Sequence, residues 1–181
     1  MFARSYTTRD LVTMAVLAAV SAVAYAGLAQ VWTVLTAAFG PLGGAALGVF
    51  QFGHLLAFLI LKKPGVTFFT SVLTTVGQLL IGDPAGAYVL GWGVIHGLVA
   101  EIVFALNRYR VPSFLTVGLA GGLAAVAGQF YTLKVYGWEG VMSLFYISLP
   151  ILFISTAIES GAIATLTARA YQRTRPTMMA E

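Results

Sequence analysis

No cysteine occurs in this 181-residue chain. Disulfides, thiolate nucleophiles and cysteine-ligated zinc are therefore excluded. Charge is scarce as well: 9% of the residues are Asp, Glu, Lys or Arg, against about 25% in a soluble domain. The two histidines, His54 and His96, lack the HExxH spacing of a zinc protease. There is no G-x-S-x-G nucleophile elbow and no Walker A phosphate loop, so any ATP hydrolysis must come from another polypeptide. Rings of charged residues or a repeated filter, which a channel would carry, are also missing. Enzyme readings fare badly on these grounds, and the sequence calls for no cofactor and no metal.

What is present is apolar. Hydrophobic residues make up 59% of the chain and the mean hydropathy is +0.90. Lipid is the solvent that such a composition suits. A hydrocarbon core about 30 Å thick takes roughly 20 apolar residues per helix, so the length accommodates about six spans. Runs ending at turn or charge signals place them near 11–29, 42–61, 66–81, 85–107, 113–133 and 141–168. The expected fold is an all-α membrane protein with six transmembrane helices in one integral membrane domain. The first run follows Arg4 and Arg9 and resembles a signal peptide, with Ala24-Tyr25-Ala26 as a cleavage-like site. Its length argues for a retained first helix.

The ten basic residues set the orientation. Arg4, Arg9, Lys62, Lys63, Arg108, Arg110, Arg169, Arg173 and Arg175 fall on one side of six spans, and Lys134 alone on the other. Nine against one is a strong positive-inside pattern and puts both termini in the cytoplasm. The same pattern accounts for the net charge of +4 without a nucleic-acid partner. The chain reads as a multi-pass protein of the cell membrane, surrounded by lipid. Trp32, Tyr136 and Trp138 suit an aromatic belt on the outer side.

Polar side chains inside spans are costly, so each needs a partner or a task. The stretch from Gly82 to Arg110 opens on Asp83-Pro84, an N-cap followed by proline at the first helical position. It carries Tyr88, Trp92 and His96 at i, i+4, i+8, one face of a helix. Gln51, Gln78 and Gln129, from three other runs, reach similar depths toward the outer side. A pocket between outer helix ends, built from Gln51, Gln78, Tyr88, Trp92, His96 and Gln129, would suit a planar heteroaromatic molecule. The plainer reading is that these groups hydrogen-bond across helices. His54 lies somewhat deeper, and Glu101 and Glu159 deeper again. For Glu101 the plain reading is pairing with Arg108 or a bond to a neighbouring helix. Ala18, Ala22 and Ala26 form a small-residue stripe that allows close approach of another helix, either within the bundle or from a second membrane protein. Gly93/Gly97 and Gly118/Gly122 are similar pairs, read as packing.

Several of these features together resemble a known family. They are the alanine-striped first helix, Phe39-Gly40-Pro41, Lys63-Pro64-Gly65, Leu80-Ile81-Gly82-Asp83-Pro84 with Gly86, and Gly97-Leu-Val-Ala100-Glu101-Ile-Val-Phe104. The chain is similar over about residues 10–110 to the S components of energy-coupling factor (ECF) transporters, and within these to the YkoE-like family. The resemblance implies a subunit that captures a vitamin from outside, here thiamine or its hydroxymethylpyrimidine precursor. It also implies association with a transmembrane coupling subunit and two ATPase subunits, with the coupling contact at Ala18 and Ala22. Two other readings stay open at this point: an S component for a different vitamin, and a structural or assembly protein without a ligand.

Overall fold

The computed structural model describes residues 5–110 and 112–173, with the side chains of 46 and 47 left aside. Arg4 and Arg175 of the basic pattern lie outside the described residues. Within those residues there are six α-helices and no strand: α1 (Thr8–Phe39), α2 (Phe52–Leu61), α3 (Val66–Leu80), α4 (Val89–Leu106), α5 (Phe114–Tyr136) and α6 (Met142–Arg173). Four helical stretches are long and apolar enough to cross a membrane, and α2 and α3 are the shorter apolar helices. The chain is a multi-pass plasma-membrane protein.

Helix α1 begins at a capping box. Thr7 accepts from the Asp10 backbone N–H, and the Asp10 carboxylate accepts from the Thr7 backbone N–H. It runs for 32 residues, about 48 Å at 1.5 Å per residue, well beyond the 11–29 expected from hydropathy. Nothing between Gly27 and Phe39 breaks a helix, and the stop comes at Gly40, with φ at 56°, followed by Pro41. The run expected at 42–61 is divided. A 3-10 segment spans Gly40–Gln51, and α2 follows with Gly53 through Leu59 buried without interruption. A helix buried on every side belongs at the centre of a bundle.

The other elements enclose α2. Helix α3 packs between α1 and α4, α5 between α4 and α6, and α6 closes against α2 and the 3-10 segment. The small-residue pairs lie at these crossings. Gly93 faces Thr75 and Gly97 faces Ser71 across the α3–α4 seam, while Gly118 faces Ala157 and Gly122 faces Phe153 across α5–α6. An apolar core of Leu55, Phe58, Phe104, Val117 and Ala164 fills the basic end of the bundle, with Phe58 and Phe104 stacked 4.0 Å apart.

Both deep carboxylates bind backbone amides. Glu101 on α4 accepts from the N–H groups of Gly65 (2.6 Å), Thr67 (3.1 Å) and Phe68 (3.4 Å), capping α3 from a neighbouring helix. Its partner is thus the N-terminus of α3 and not Arg108. Glu159 on α6 accepts from the Gly48 N–H at 2.9 Å, tying the 3-10 segment to the bundle. Beside the α2–α3 turn, Lys63 pairs with Asp10, and the Tyr6 hydroxyl donates to the Pro64 carbonyl.

Candidate ligand-binding site

At the end opposite the Lys62-Lys63 turn, the helices part around a cavity. Helix α3 makes one wall, and its composition is inverted relative to a lipid-facing helix. Thr67, Thr70, Ser71, Thr74, Thr75 and Gln78 face inward, while Phe69, Leu73, Val76 and Leu80 face out. Ser71, Thr74, Thr75 and Gln78 line the cavity. At 15 residues, α3 is only about 22 Å long, shorter than a bilayer's hydrocarbon core.

That turn holds Asp83. Its Oδ2 accepts from Gln78 Nε2 and its Oδ1 from the Ala85 N–H, both at 2.9 Å. The carboxylate thus caps the turn into a 3-10 stretch, Gly86–Tyr88, from which α4 continues. The ion pairs among the described residues are Asp10–Lys63 and Glu139–Lys134, so Asp83, although buried, has no cationic neighbour of that kind.

An aromatic wall faces this carboxylate-bearing side. Trp32 from α1 stands edge-on to Trp92 from α4 (centroids 6.2 Å) and to Tyr136 from α5 (5.4 Å). Trp92 is fixed by donating from Nε1 to Thr132 Oγ1 at 2.9 Å, and its ring meets Tyr131 edge-on. Deeper in the cavity are His96 and His54. His96 needs glycine at 128: a Cβ there would lie 2.1 Å from its Nε2. Tyr25 accepts from the Gly53 N–H through its hydroxyl at 2.7 Å and joins α1 to the start of α2.

Among the described residues, two fully buried nitrogens of the cavity lining lack a hydrogen-bond partner, His54 Nε2 and Trp32 Nε1. Buried polar groups normally find one, so these two are the groups for which a ligand or a water has most to offer.

Of the residues expected from sequence, the cavity brings together Gln78, Trp92 and His96. Gln51, Tyr88 and Gln129 lie outside it. Gln129 donates to the Pro41 carbonyl at 3.0 Å, and Gln51 is fully buried away from the cavity. Tyr88 is 60% exposed and contributes only its carbonyl, which accepts from Tyr131. Depth along a helix was readable for these three residues, but azimuth was not. Sequence reasoning left out the contribution of α1 altogether, placed Asp83 at the mouth without making it a ligand contact, and set His54 deeper than the site. The hydroxyl stripe of α3, spaced at three and four residues, was the available signal.

Of the two readings of Ala18 and Ala22, packing within the bundle is the one their burial matches. Each is 3% exposed, buried against the rest of the chain, and Ala22 lies over Gly77 of α3. Side chains enclosed in this way cannot form an outward docking face. In the first half of α1 the outward small residues are Ala15 and Ala19, beside the exposed Val12, Val16, Val20 and Val23, and Ala24, Gly27, Ala37 and Ala38 are exposed further along.

The family described as "ABC-type cobalt transport system, permease component" matches residues 9–127. The "Putative HMP/thiamine permease protein YkoE" of Bacillus subtilis (strain 168) is 30% identical over 162 residues, covering 88% of this chain and 81% of that protein. A solved structure described as an S-component of an ECF transporter superposes with a TM-score of 0.88 at 28% identity, covering 94% of this chain and 87% of the other. The chain is a YkoE-like ECF S component. S components are substrate-binding subunits of transporters and not enzymes. The S component described here therefore serves substrate uptake, and its family implies a small-molecule substrate and ECF partner subunits.

Proposed function

We propose that this S component captures thiamine, or its hydroxymethylpyrimidine precursor, at the outer face of the membrane. The observation that carries the reading is a buried carboxylate, Asp83, with no ion-pair partner among the described residues, in a cavity walled by Trp32, Trp92 and Tyr136. An uncompensated buried charge is costly, and a cationic ligand would offset that cost. Aromatic faces attract the same kind of ligand. A thiazolium satisfies both, which favours thiamine over the neutral pyrimidine. The name of the Bacillus subtilis relative supports the same pair of vitamers. No group of three or more His, Cys, Asp or Glu side chains placed to hold a metal occurs among the described residues, so the donor set suits an organic substrate better than a cobalt ion.

In this reading the chain works with a transmembrane coupling subunit and two ATPase subunits, and lends its cavity without performing chemistry. The coupling contact moves from Ala18 and Ala22 to the outward pair Ala15 and Ala19. Titration of the purified protein with thiamine should quench tryptophan fluorescence through Trp32 and Trp92, and calorimetry should show thiamine binding at least tenfold tighter than hydroxymethylpyrimidine. Asp83→Asn should remove most of that preference, a loss of about 1.4 kcal/mol or more. A flat response to both vitamers, by fluorescence and by heat, would refute the assignment.

A further inference from the structure

We propose that the contact between Ala22 of α1 and Gly77 of α3 sets the width of the ligand cavity, which makes these two positioning residues. This rests on the cavity above being the ligand site. A Cβ on Gly77 would stand 2.7 Å from the Ala22 Cβ, so the two helices meet as closely as a single methyl group allows. Side chains next to the contact, on both helices, line the cavity. Gln78, the residue after Gly77, donates to Asp83, and Tyr25, one turn beyond Ala22, forms part of the α1 wall. Tyr25 is in turn held to Gly53 by its hydroxyl, so α1 is pinned on the α2 side. Widening the α1–α3 seam therefore cannot be absorbed by sliding α1 freely. It must open the cavity between Tyr25 and Gln78.

The absence of native cysteine gives a readout that does not depend on any vitamin. Ser71 lines the cavity deeper than Gly77, and Ser71→Cys supplies the only thiol for a small water-soluble thiosulfonate. Adding Gly77→Ala should raise the modification rate roughly tenfold, and adding Ala22→Gly as well, which transfers the methyl from one helix to the other, should return it to near the starting rate. An unchanged rate with Gly77→Ala, or no return in the swapped pair, overturns the proposal. If Gly77→Ala does not accumulate in the membrane, Ala22→Ser adds one atom to the same contact, with Gly77 kept, and is judged by the change in rate alone. Its rate should rise above that of Ser71→Cys alone, and an unchanged rate overturns the proposal. Thiamine added to each variant tests the vitamin reading separately. Failure to protect the thiol in the otherwise native chain counts against thiamine, while the rates without vitamin still decide the seam.

Discussion

His54 and Gln51 are one helical turn apart in sequence, nearly equally buried, and both have side-chain atoms without a hydrogen-bond partner. They differ in what they face. His54 lines the cavity and Gln51 does not. The two substitutions should therefore behave in opposite ways. Truncating a side chain that pairs with a ligand in a dry pocket costs about 1–3 kcal/mol, which is roughly a 5- to 150-fold loss of affinity. His54→Ala should lose thiamine affinity in that range by calorimetry. Gln51→Leu should leave affinity within about twofold and hold or raise the melting temperature, because it removes a buried amide that gains nothing from the fold. Equal losses from both would mean that the polar interior acts as a whole and that the cavity lining does not single out His54. The sequence showed both side chains at membrane depth but gave no way to separate them. At residue scale a polar group inside a span declares that it has a reason, and only its neighbours show which reason applies.

Helix α1 shows where reading by element succeeded and where it stopped. Its existence and its small-residue character were evident from the run of alanines. Its length was underestimated, because Gln30 and Trp32 lower the local hydropathy although neither breaks a helix, and that shortening concealed the Trp32 wall of the site. The facing of its alanines was also one position out of phase. Residues 18 and 22 point inward, and 15 and 19 point out. A shift of one position turns a helix by about 100°, enough to move a stripe from partner-facing to core-facing. The consequence can be measured in the assembled transporter. Ala15→Trp and Ala19→Trp add bulk to an exposed face, so ATPase subunits should no longer co-purify with the variant while thiamine binding stays within about threefold of wild type. Ala18→Trp forces an indole into a position that is 3% exposed and should instead reduce the folded protein recovered, with ligand binding lost in step. Undiminished co-purification of the ATPases with both outward variants would remove this face as the coupling contact. Helix α3 offers the opposite lesson. Its inward hydroxyls were legible as a periodic stripe, yet they describe a pocket only once α4 is placed beside them and Glu101 is seen to cap its start.

At the scale of the whole molecule, two asymmetries run along one axis. The described basic residues Arg9, Lys62, Lys63, Arg108, Arg110, Arg169 and Arg173 belong to the end packed by Phe58 and Phe104, and Lys134 belongs to the end with the cavity. Charge legible in the sequence and a void visible only in the fold thus divide the molecule in the same way. If the positive-inside rule governs insertion, the cavity mouth opens away from the cytoplasm, where a capturing subunit needs it. Single thiols can test this in a chain that has none of its own. Gly140 lies between α5 and α6 at the cavity end, and a Cβ there meets nothing within 4 Å. Gln172, near the end of α6, is exposed at the basic end. A membrane-impermeant maleimide applied to intact cells should label Gly140→Cys and spare Gln172→Cys, which should react only after permeabilisation. The reverse pattern would turn the mouth toward the cytoplasm and remove capture from outside, whatever the cavity binds. Labelling of both in intact cells would point to mixed insertion, which nine basic residues against one should prevent. The orientation can thus fail independently of the ligand, because it depends on where the charges lie along the chain and not on which molecule Asp83 attracts.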